Sequence, residues 1–141
     1  MRASAPRELV ELLVLERAVA DGAEDLAEVV VGARVDRDAD ARIVQARRVA
    51  DLVATEGESH RVVAGDLNDE GEPEVVRELH RVGLRDVDGG STNPAIAPRQ
   101  RLDHVVIPAG AVVVEQHEPA GGEEWAELSD HLPVLVAFRL P

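Results

Sequence analysis

The feature that most constrains this chain is a short apolar strand followed at once by two polar side chains. Val62 and Val63 belong to a run that a glycine ends, and such a run is typical of a buried strand. Strand alternation would place Asp66 and Asn68 on one side of the backbone and Leu67 on the other. A carboxylate and a carboxamide directed at one point suit a divalent cation and a phosphoryl oxygen. The structural alternative is that Asp66 caps the next segment and Asn68 forms an Asx-turn.

Composition limits the class of protein. The 141 residues are enough for one domain with a real core, so residues 1–141 are expected to form a single domain. Cysteine is absent, which excludes disulfide bonds and thiolate metal sites. No segment approaches the length of a membrane span, and the first residues lack the apolar stretch of a secretory signal. The expected location is the cytoplasm, or outside the cell if a leader has been removed.

The charge balance limits the partners. Acidic residues number 28 against 15 basic ones, and every basic residue is arginine, which gives a net charge of −13. A field of this sign repels polyphosphates and disfavours long nucleic acid, whose tight binding needs a basic patch. Recruitment of a divalent cation and of a small phosphate ester is compatible with it.

Hydrophobic periodicity predicts a strand-helix-strand unit over residues 29–68. Val29 to Val31 form a β-branched apolar run, and apolar residues at helical spacing follow from about Asp40 to Thr55. The next strand is Arg61 to Asn68, so the two strands are expected to lie near each other in one sheet. The arginines expected to face water on this helix are Arg42, Arg47 and Arg48.

Further elements follow along the chain. A second helix is predicted to start at Pro73 and to end before Gly83, and Leu84 to Ile96 is expected to be a loop. At the other end of the chain, Leu12 to Ala20 allows either an amphipathic helix or one strand of a hairpin with Leu26 to Val35.

The C-terminal third is predicted to be mostly strands. Leu102 to Ile107 is expected to pair with Ala111 to Val114 across a tight turn. An acidic, mobile loop is predicted from Glu118 to Glu127, and a last apolar strand from Leu132 to Leu140.

Three polar clusters stand at the edges of these strands. They are Asp66 with Asn68, Asp103, and the pair Asp130 and His131. Each has a structural alternative on its own: a surface ion pair for Asp103, a turn cap for Asp130, and a satisfied histidine at a strand start for His131. Because sheet formation could bring all three to one rim, we interpret them together as a candidate active site.

The strings that carry these clusters resemble a known family. They are Gly-Asp-Leu-Asn at 65–68, Arg-Leu-Asp-His at 101–104 and Ser-Asp-His-Leu-Pro-Val at 129–134. Together they look like the last three motifs of the endonuclease/exonuclease/phosphatase superfamily of metal-dependent phosphoesterases. The resemblance covers a core of about residues 26–140. It implies an α+β fold, a partial DNase I-like α/β sandwich with a mostly antiparallel sheet and two helices on one face. It also favours the hairpin for Leu12 to Ala20.

The resemblance implies a role for each site residue. Asp66 would orient or deprotonate the attacking water, and Asn68 would contact the phosphoryl oxygens. His131 would stabilise charge at phosphorus, with its ring held in the working tautomer by Asp103. Asp130 and Asp66 would serve as ligands to Mg²⁺ or Mn²⁺, cations that favour oxygen ligands.

Two departures keep other functions open. In the family, the strand ending near residue 35 usually closes with Thr-His-Leu-Asp, whose His is catalytic, whereas Arg34 occupies that position here. Arginine could bind a substrate phosphate but cannot act as a neutral imidazole. The family's first half also supplies an Asn and the main metal-binding Glu. The alternatives are therefore a non-catalytic remnant that keeps the fold, or an acidic interaction module that forms a homodimer through an open sheet face.

Overall fold

A central five-stranded sheet organises the chain. The computed structural model describes residues 13–15, 29–32, 34–55, 61–68 and 74–141. The strands are β1 (Leu13–Leu15), β2 (Val29–Gly32), β3 (Arg61–Asp66), β4 (Leu84–Asp86), β5 (Asp103–Pro108), β6 (Val112–His117) and β7 (Leu135–Arg139). The helices are α1 (Ala39–Thr55), α2 (Glu74–His80) and α3 (Glu123–Ala126). The five-stranded sheet has the order β1-β2-β3-β5-β4, and β6 and β7 form a separate hairpin sheet.

The predicted strand-helix-strand unit is confirmed. Strands β2 and β3 are parallel neighbours, with Val31 opposite Val63, and α1 connects them. Parallel neighbours require a crossover connection, which the long apolar-faced helix provides. Strand β1 pairs antiparallel with β2, as the hairpin interpretation requires. The residues that would connect these two strands, 16–28, and the helix start predicted at Pro73 lie outside the described residues.

Two helices cover one face of the five-stranded sheet. Apolar side chains of α1 and α2 pack with inward-facing side chains of the strands to form the main core. Its fully buried members include Ala46, Val49, Val63, Leu67, Val75, Leu79 and Val106. Gly83 ends α2 with a left-handed backbone (φ 85°), and its N–H donates to the carbonyl of His80. A residue without Cβ adopts this conformation at little cost, which accounts for glycine at the predicted helix end.

The opposite face of the sheet is covered by the β6–β7 hairpin. On this face, Val62, Val87 and Ile107 are buried in a second hydrophobic cluster. Apolar residues of the hairpin pack against that cluster. Because side chains alternate along β3 and β5, Val63 and Val106 face the helices while Val62 and Ile107 face the hairpin. The described part of the chain is therefore three layers: helices, sheet and hairpin.

The predicted pairing of Leu102 to Ile107 with Ala111 to Val114 is wrong. Both edges of β5 are already paired, with β3 on one side and β4 on the other. The chain turns after Pro108, and β6 pairs with β7 instead. Local periodicity predicted two strands and a turn correctly, but it could not show that the second strand leaves the sheet to cover its face.

Three other expectations are corrected by the structure. The segment from Leu84 to Ile96 is not all loop, since it begins with β4. The acidic segment from Glu118 to Glu127 contains α3, whose turn is fixed by backbone hydrogen bonds to Gly122 and Glu123. Arg42 does not face water: its side chain is 17% exposed and pairs with Glu74. Arg47 and Arg48 are exposed as predicted.

The predicted α+β fold with a mostly antiparallel sheet is confirmed. Three of the four neighbouring strand pairs in the sheet are antiparallel, and two helices lie on one face. Within the described ranges, no helix combines the length and apolar character needed to span a membrane.

Truncation of the helix-face core should lower stability strongly. Leu79 is completely buried in the main core, whereas Leu128 is 79% exposed. We expect Leu79→Ala to lower the free energy of unfolding by about 2–5 kcal/mol, since it removes packed methyl groups and leaves a cavity. The matched change Leu128→Ala should shift it by less than about 0.5 kcal/mol. Urea unfolding followed by circular dichroism measures both; equal effects would contradict the core assignment.

Candidate active site

Strand pairing places two carboxylates side by side. Strands β3 and β5 are antiparallel neighbours, and their register sets Asp66 directly opposite Asp103. Alternation from Val62 puts Asp66 on the face that the hairpin covers, and Asp103 shares that face with Val105. Directly opposed residues have Cβ atoms about 4.5–5.5 Å apart, so two acidic side chains here interact directly.

The ring of His131 lies between these carboxylates. Its Nδ1 is 2.6 Å from Oδ2 of Asp103, and its Nε2 is 4.0 Å from Oδ2 of Asp66. An ionised Asp103 can only accept a hydrogen bond, so Nδ1 carries a proton and Nε2 is directed towards Asp66. The structure thus brings together Asp66, Asp103 and His131 from three distant segments of the chain.

Thr92 supports Asp103 and was missed by the sequence analysis. Its hydroxyl donates to Oδ2 of Asp103 at 2.6 Å and accepts from the backbone N–H groups of Leu102 and Asp103 at 3.2 Å. The residue is 2% exposed. Its neighbours in sequence are polar loop residues, and no spacing pattern distinguishes it from them. Only the tertiary structure shows that it positions the carboxylate.

Backbone hydrogen bonds fix the segment that carries His131. The N–H of Leu132 donates to the carbonyl of Thr92 at 2.7 Å, and the N–H of Ala95 donates to the carbonyl of Asp130 at 2.8 Å. The side-chain amide of Asn93 also donates to that carbonyl, at 3.1 Å. One loop, residues 92–95, therefore holds both the histidine segment and the carboxylate that binds its ring.

Asn68 reaches the site by a turn and not by strand alternation. Strand β3 ends at Asp66, and Asn68 has a left-handed backbone with φ 46°. Its N–H donates to Oδ1 of Asp66 at 3.0 Å, which is an Asx-turn, and its Nδ2 donates to the carbonyl of Val35 at 2.5 Å. The expectation that alternation aligns Asp66 with Asn68 is wrong, because the extended backbone stops first. Asn68 nevertheless lies in contact with Asp66.

Burial raises the pKa of Asp66 above its ordinary value of 3.8. The neighbouring charge of Asp103 acts in the same direction, because a second carboxylate disfavours ionisation. The backbone N–H of Asn68 and the charges of His131 and Arg34 oppose the rise, but the pKa remains raised. A carboxylate with a raised pKa is a stronger base once ionised.

The two remaining predicted residues lie at the rim. Arg34 is exposed, and the N–H of its neighbour Val35 donates to the carbonyl of Asp66 at 3.0 Å, which keeps the arginine close enough to lower the pKa of that carboxyl. The side chain of Asp130 is exposed, and its backbone carbonyl is used to hold the loop at 92–95.

The donors of the site are suited to a hard cation. Among the described residues, no group of three or more acidic or histidine side chains is arranged so that it could hold a metal ion by itself. Mg²⁺ usually keeps several waters and takes only one or two protein carboxylates. Asp66, half-buried beside Asp103 and with a raised pKa, is a carboxylate whose ionised form a cation would stabilise. Asp66 therefore suits such an ion as a single carboxylate ligand.

Comparisons with known proteins show a shared fold. No protein-family model and no curated protein sequence matches this chain. An endonuclease/exonuclease/phosphatase from Bacteroides vulgatus has a TM-score of 0.65 at 21% identity, over 80% of this chain and 50% of that one. A mannosyl-6-phosphatase from Bacteroides thetaiotaomicron has a TM-score of 0.58 at 16% identity, over 79% and 51%. An endonuclease/exonuclease/phosphatase from Beutenbergia cavernae has a TM-score of 0.59 at 19% identity, over 92% and 38%.

These likenesses confirm the predicted resemblance at the level of the fold. The chain spans about half the length of the first structures it matches. Its described elements therefore have the architecture of part of the endonuclease/exonuclease/phosphatase fold, and the carboxylate pair and His131 lie at one end of the central strands β3 and β5.

Neutralising Asp66 should stabilise the fold at neutral pH. Because the folded-state pKa is raised, the contribution of Asp66 to stability is present below the ordinary pKa of 3.8 and is lost as pH rises through the folded pKa. Asp66→Asn keeps an acceptor for the N–H of Asn68 and removes the charge. We expect it to melt at a higher temperature than the wild type at pH 7 in EDTA, and the difference to shrink as pH falls.

The control is Asp51→Asn, a change of the same charge on the exposed face of α1. Differential scanning fluorimetry across a pH series measures all three proteins. A melting temperature for Asp66→Asn at or below that of the wild type at pH 7 would contradict the proposed cost of burying this carboxylate.

Proposed function

We propose that this chain provides the catalytic part of a metal-dependent phosphoesterase of the endonuclease/exonuclease/phosphatase type, which hydrolyses phosphodiesters or phosphomonoesters. The observation that carries the proposal is the His131 ring, hydrogen-bonded to Asp103 and facing Asp66 on one face of the sheet. The shared fold supports it, since the matched structures include a phosphatase.

Two roles are proposed for the site residues: general base for the attacking water, and stabilisation of negative charge on the phosphoryl group. Asp66 takes the role of orienting or deprotonating the attacking water, and its raised pKa makes it a stronger base than an ordinary aspartate. Asp103 accepts from Nδ1 of His131, so a protonated ring directs its Nε2–H into the space beside Asp66. A donor held there stabilises negative charge on phosphoryl oxygens without reorganising.

Asp66 and Asp130 are the proposed ligands of Mg²⁺ or Mn²⁺. When bound, the cation supplies Lewis-acid stabilisation of the phosphoryl oxygens. Arg34 and Asn68 are the proposed contacts to the same oxygens. Arg34 is exposed at the rim, and the anchored turn at Asn68 fixes the position of its amide. Arginine at position 34 can bind a phosphate through two donors but not transfer a proton.

A non-catalytic chain that retains the fold is the second candidate. Two observations favour it: Arg34 stands where the resembling family has a catalytic histidine, and no three-residue ligand set converges in the described part of the chain. In that case the chain would bind a cation or a phosphate without turning a substrate over.

An aryl phosphodiester assay separates these functions. We expect bis(p-nitrophenyl) phosphate to be hydrolysed with Mg²⁺ or Mn²⁺ and not with EDTA. Asp66→Ala should lower kcat by about 10²-fold or more, the usual contribution of a general base, whereas Asp51→Ala should leave it unchanged. Cation binding without turnover would support the second candidate, and activity that survives Asp66→Ala would contradict the proposed role of Asp66.

Thr92 should act through the position of Asp103. Thr92→Val removes the hydroxyl that donates to the carboxylate and should lower kcat by about 10–100-fold, as loss of a supporting hydrogen bond to an active-site group commonly does. Thr92→Ser keeps the hydroxyl and should restore most of the activity. If Thr92→Ser is as impaired as Thr92→Val at equal melting temperature, the hydroxyl is not the group that matters.

A further inference from the structure

A polar cavity adjoins the candidate active site. It has a volume of about 410 Å³. The residues that line it are Arg37, Arg42, Asn68, Asn93, Gln100 and Leu102. Among the residues that the structure describes, two arginines and three residues with carboxamide side chains line the cavity, and none of the described lining residues is acidic. The described lining therefore differs in character from the chain as a whole, whose net charge is −13.

Arg42 contributes a fixed positive group. Its guanidinium donates to the carbonyl of Arg37 at 3.1 Å and to the carboxylate of Glu74 at 3.3 Å. Since the side chain is 17% exposed, these contacts hold it in place at the cavity wall. Glu74 offsets much of its charge, so Arg42 alone would be explained as a structural ion pair.

Arg37 is not explained in this way. Its side chain is exposed, and it forms no ion pair with another residue in the part of the chain that the structure describes. The nearest acidic residues in sequence are engaged locally: Asp36 accepts from the N–H of Asp38 at 2.9 Å, and Asp38 accepts from the N–H of Ala41 at 3.0 Å. The guanidinium of Arg37 therefore remains available to an anion in the cavity.

The cavity and the candidate active site share a wall. Asn68 lines the cavity while its N–H donates to the carboxylate of Asp66. Asn93 lines it as well, and its amide donates to the carbonyl of Asp130, beside His131. A phosphate at Asp66 and a group in the cavity would thus be neighbours, close enough to belong to one small molecule.

We propose that this cavity binds a second phosphate of the substrate, so that the preferred substrates are small molecules with two phosphate groups. The inference rests on the proposed function, because it assumes that the scissile phosphate lies at Asp66. Arginine binds phosphate through two parallel donors, and the carboxamides supply further N–H groups. A second phosphate held this way contributes affinity that a simple phosphate ester lacks, and it places the scissile group.

Calorimetric titration with matched ligands tests the cavity. The probes are the bisphosphates of propanediol, butanediol and pentanediol, each compared with its monophosphate in Mg²⁺ buffer. The wild type should bind at least one bisphosphate about tenfold more tightly than its monophosphate, a difference of about 1.4 kcal/mol. Arg37→Gln should abolish that preference. Arg77→Gln removes the same charge from an exposed position on α2 outside the cavity and should retain it.

The outcomes separate the cavity from the catalytic proposal. A wild type without preference for any bisphosphate, or Arg37→Gln with the preference intact, overturns the cavity proposal. Loss of preference in both arginine variants overturns it too, because general charge would then be the cause. Metal-dependent hydrolysis of the aryl diester is measured on the same samples. A bisphosphate preference that depends on Arg37 supports the proposal that the cavity binds a second phosphate. If that preference is found without any hydrolysis of the aryl diester, the result contradicts the proposed catalytic function but not the cavity proposal.

Discussion

The antiparallel register of β3 against β5 is the constraint on which the site depends. It sets Asp66 opposite Asp103 at one end of these two strands. As long as this pairing is kept, the two carboxylates lie close together. Burial of the Asp66 carboxyl raises its pKa, and the neighbouring Asp103 carboxylate acts in the same direction. The sheet is stabilised elsewhere, by the helices packed on one face and the hairpin on the other, so it can keep this unfavourable pair.

The other half of the site depends on backbone hydrogen bonds. Residues 92–95 have no regular secondary structure, yet they bind the segment before β7 through the carbonyls of Thr92 and Asp130. The hydroxyl of Thr92 joins the same loop to Asp103. His131 is therefore positioned by a loop that contacts both its backbone and its partner carboxylate. Asn93 of this loop also lines the cavity with Arg37, so the loop contributes to both proposed phosphate sites.

Much of this fold could be predicted, because its signals are local. The apolar spacing of α1 and the β-branched run of β3 reflect their buried positions, and the crossover through α1 allows β2 and β3 to be parallel neighbours. Prediction failed where partners are chosen at long range. The strand β6 has the pattern of a partner for β5, but β5 had no free edge. Asn68 was misplaced because the pattern does not show where an extended backbone ends in a turn.

The sequence by itself determined which functional groups are present. Asp66 ends one apolar run, Asp103 begins another and His131 precedes a third, and the chain has carboxylate, amide and imidazole groups but no thiol. The type of each residue and the spacing of apolar residues can be read directly from the sequence, because neither depends on contacts between distant segments. The tertiary structure alone decided that the histidine ring lies between the two carboxylates, that Thr92 supports one of them, and that Arg42 turns from water to line a cavity. Each of those facts is a contact between segments far apart in sequence, and such contacts arise only when the layers pack.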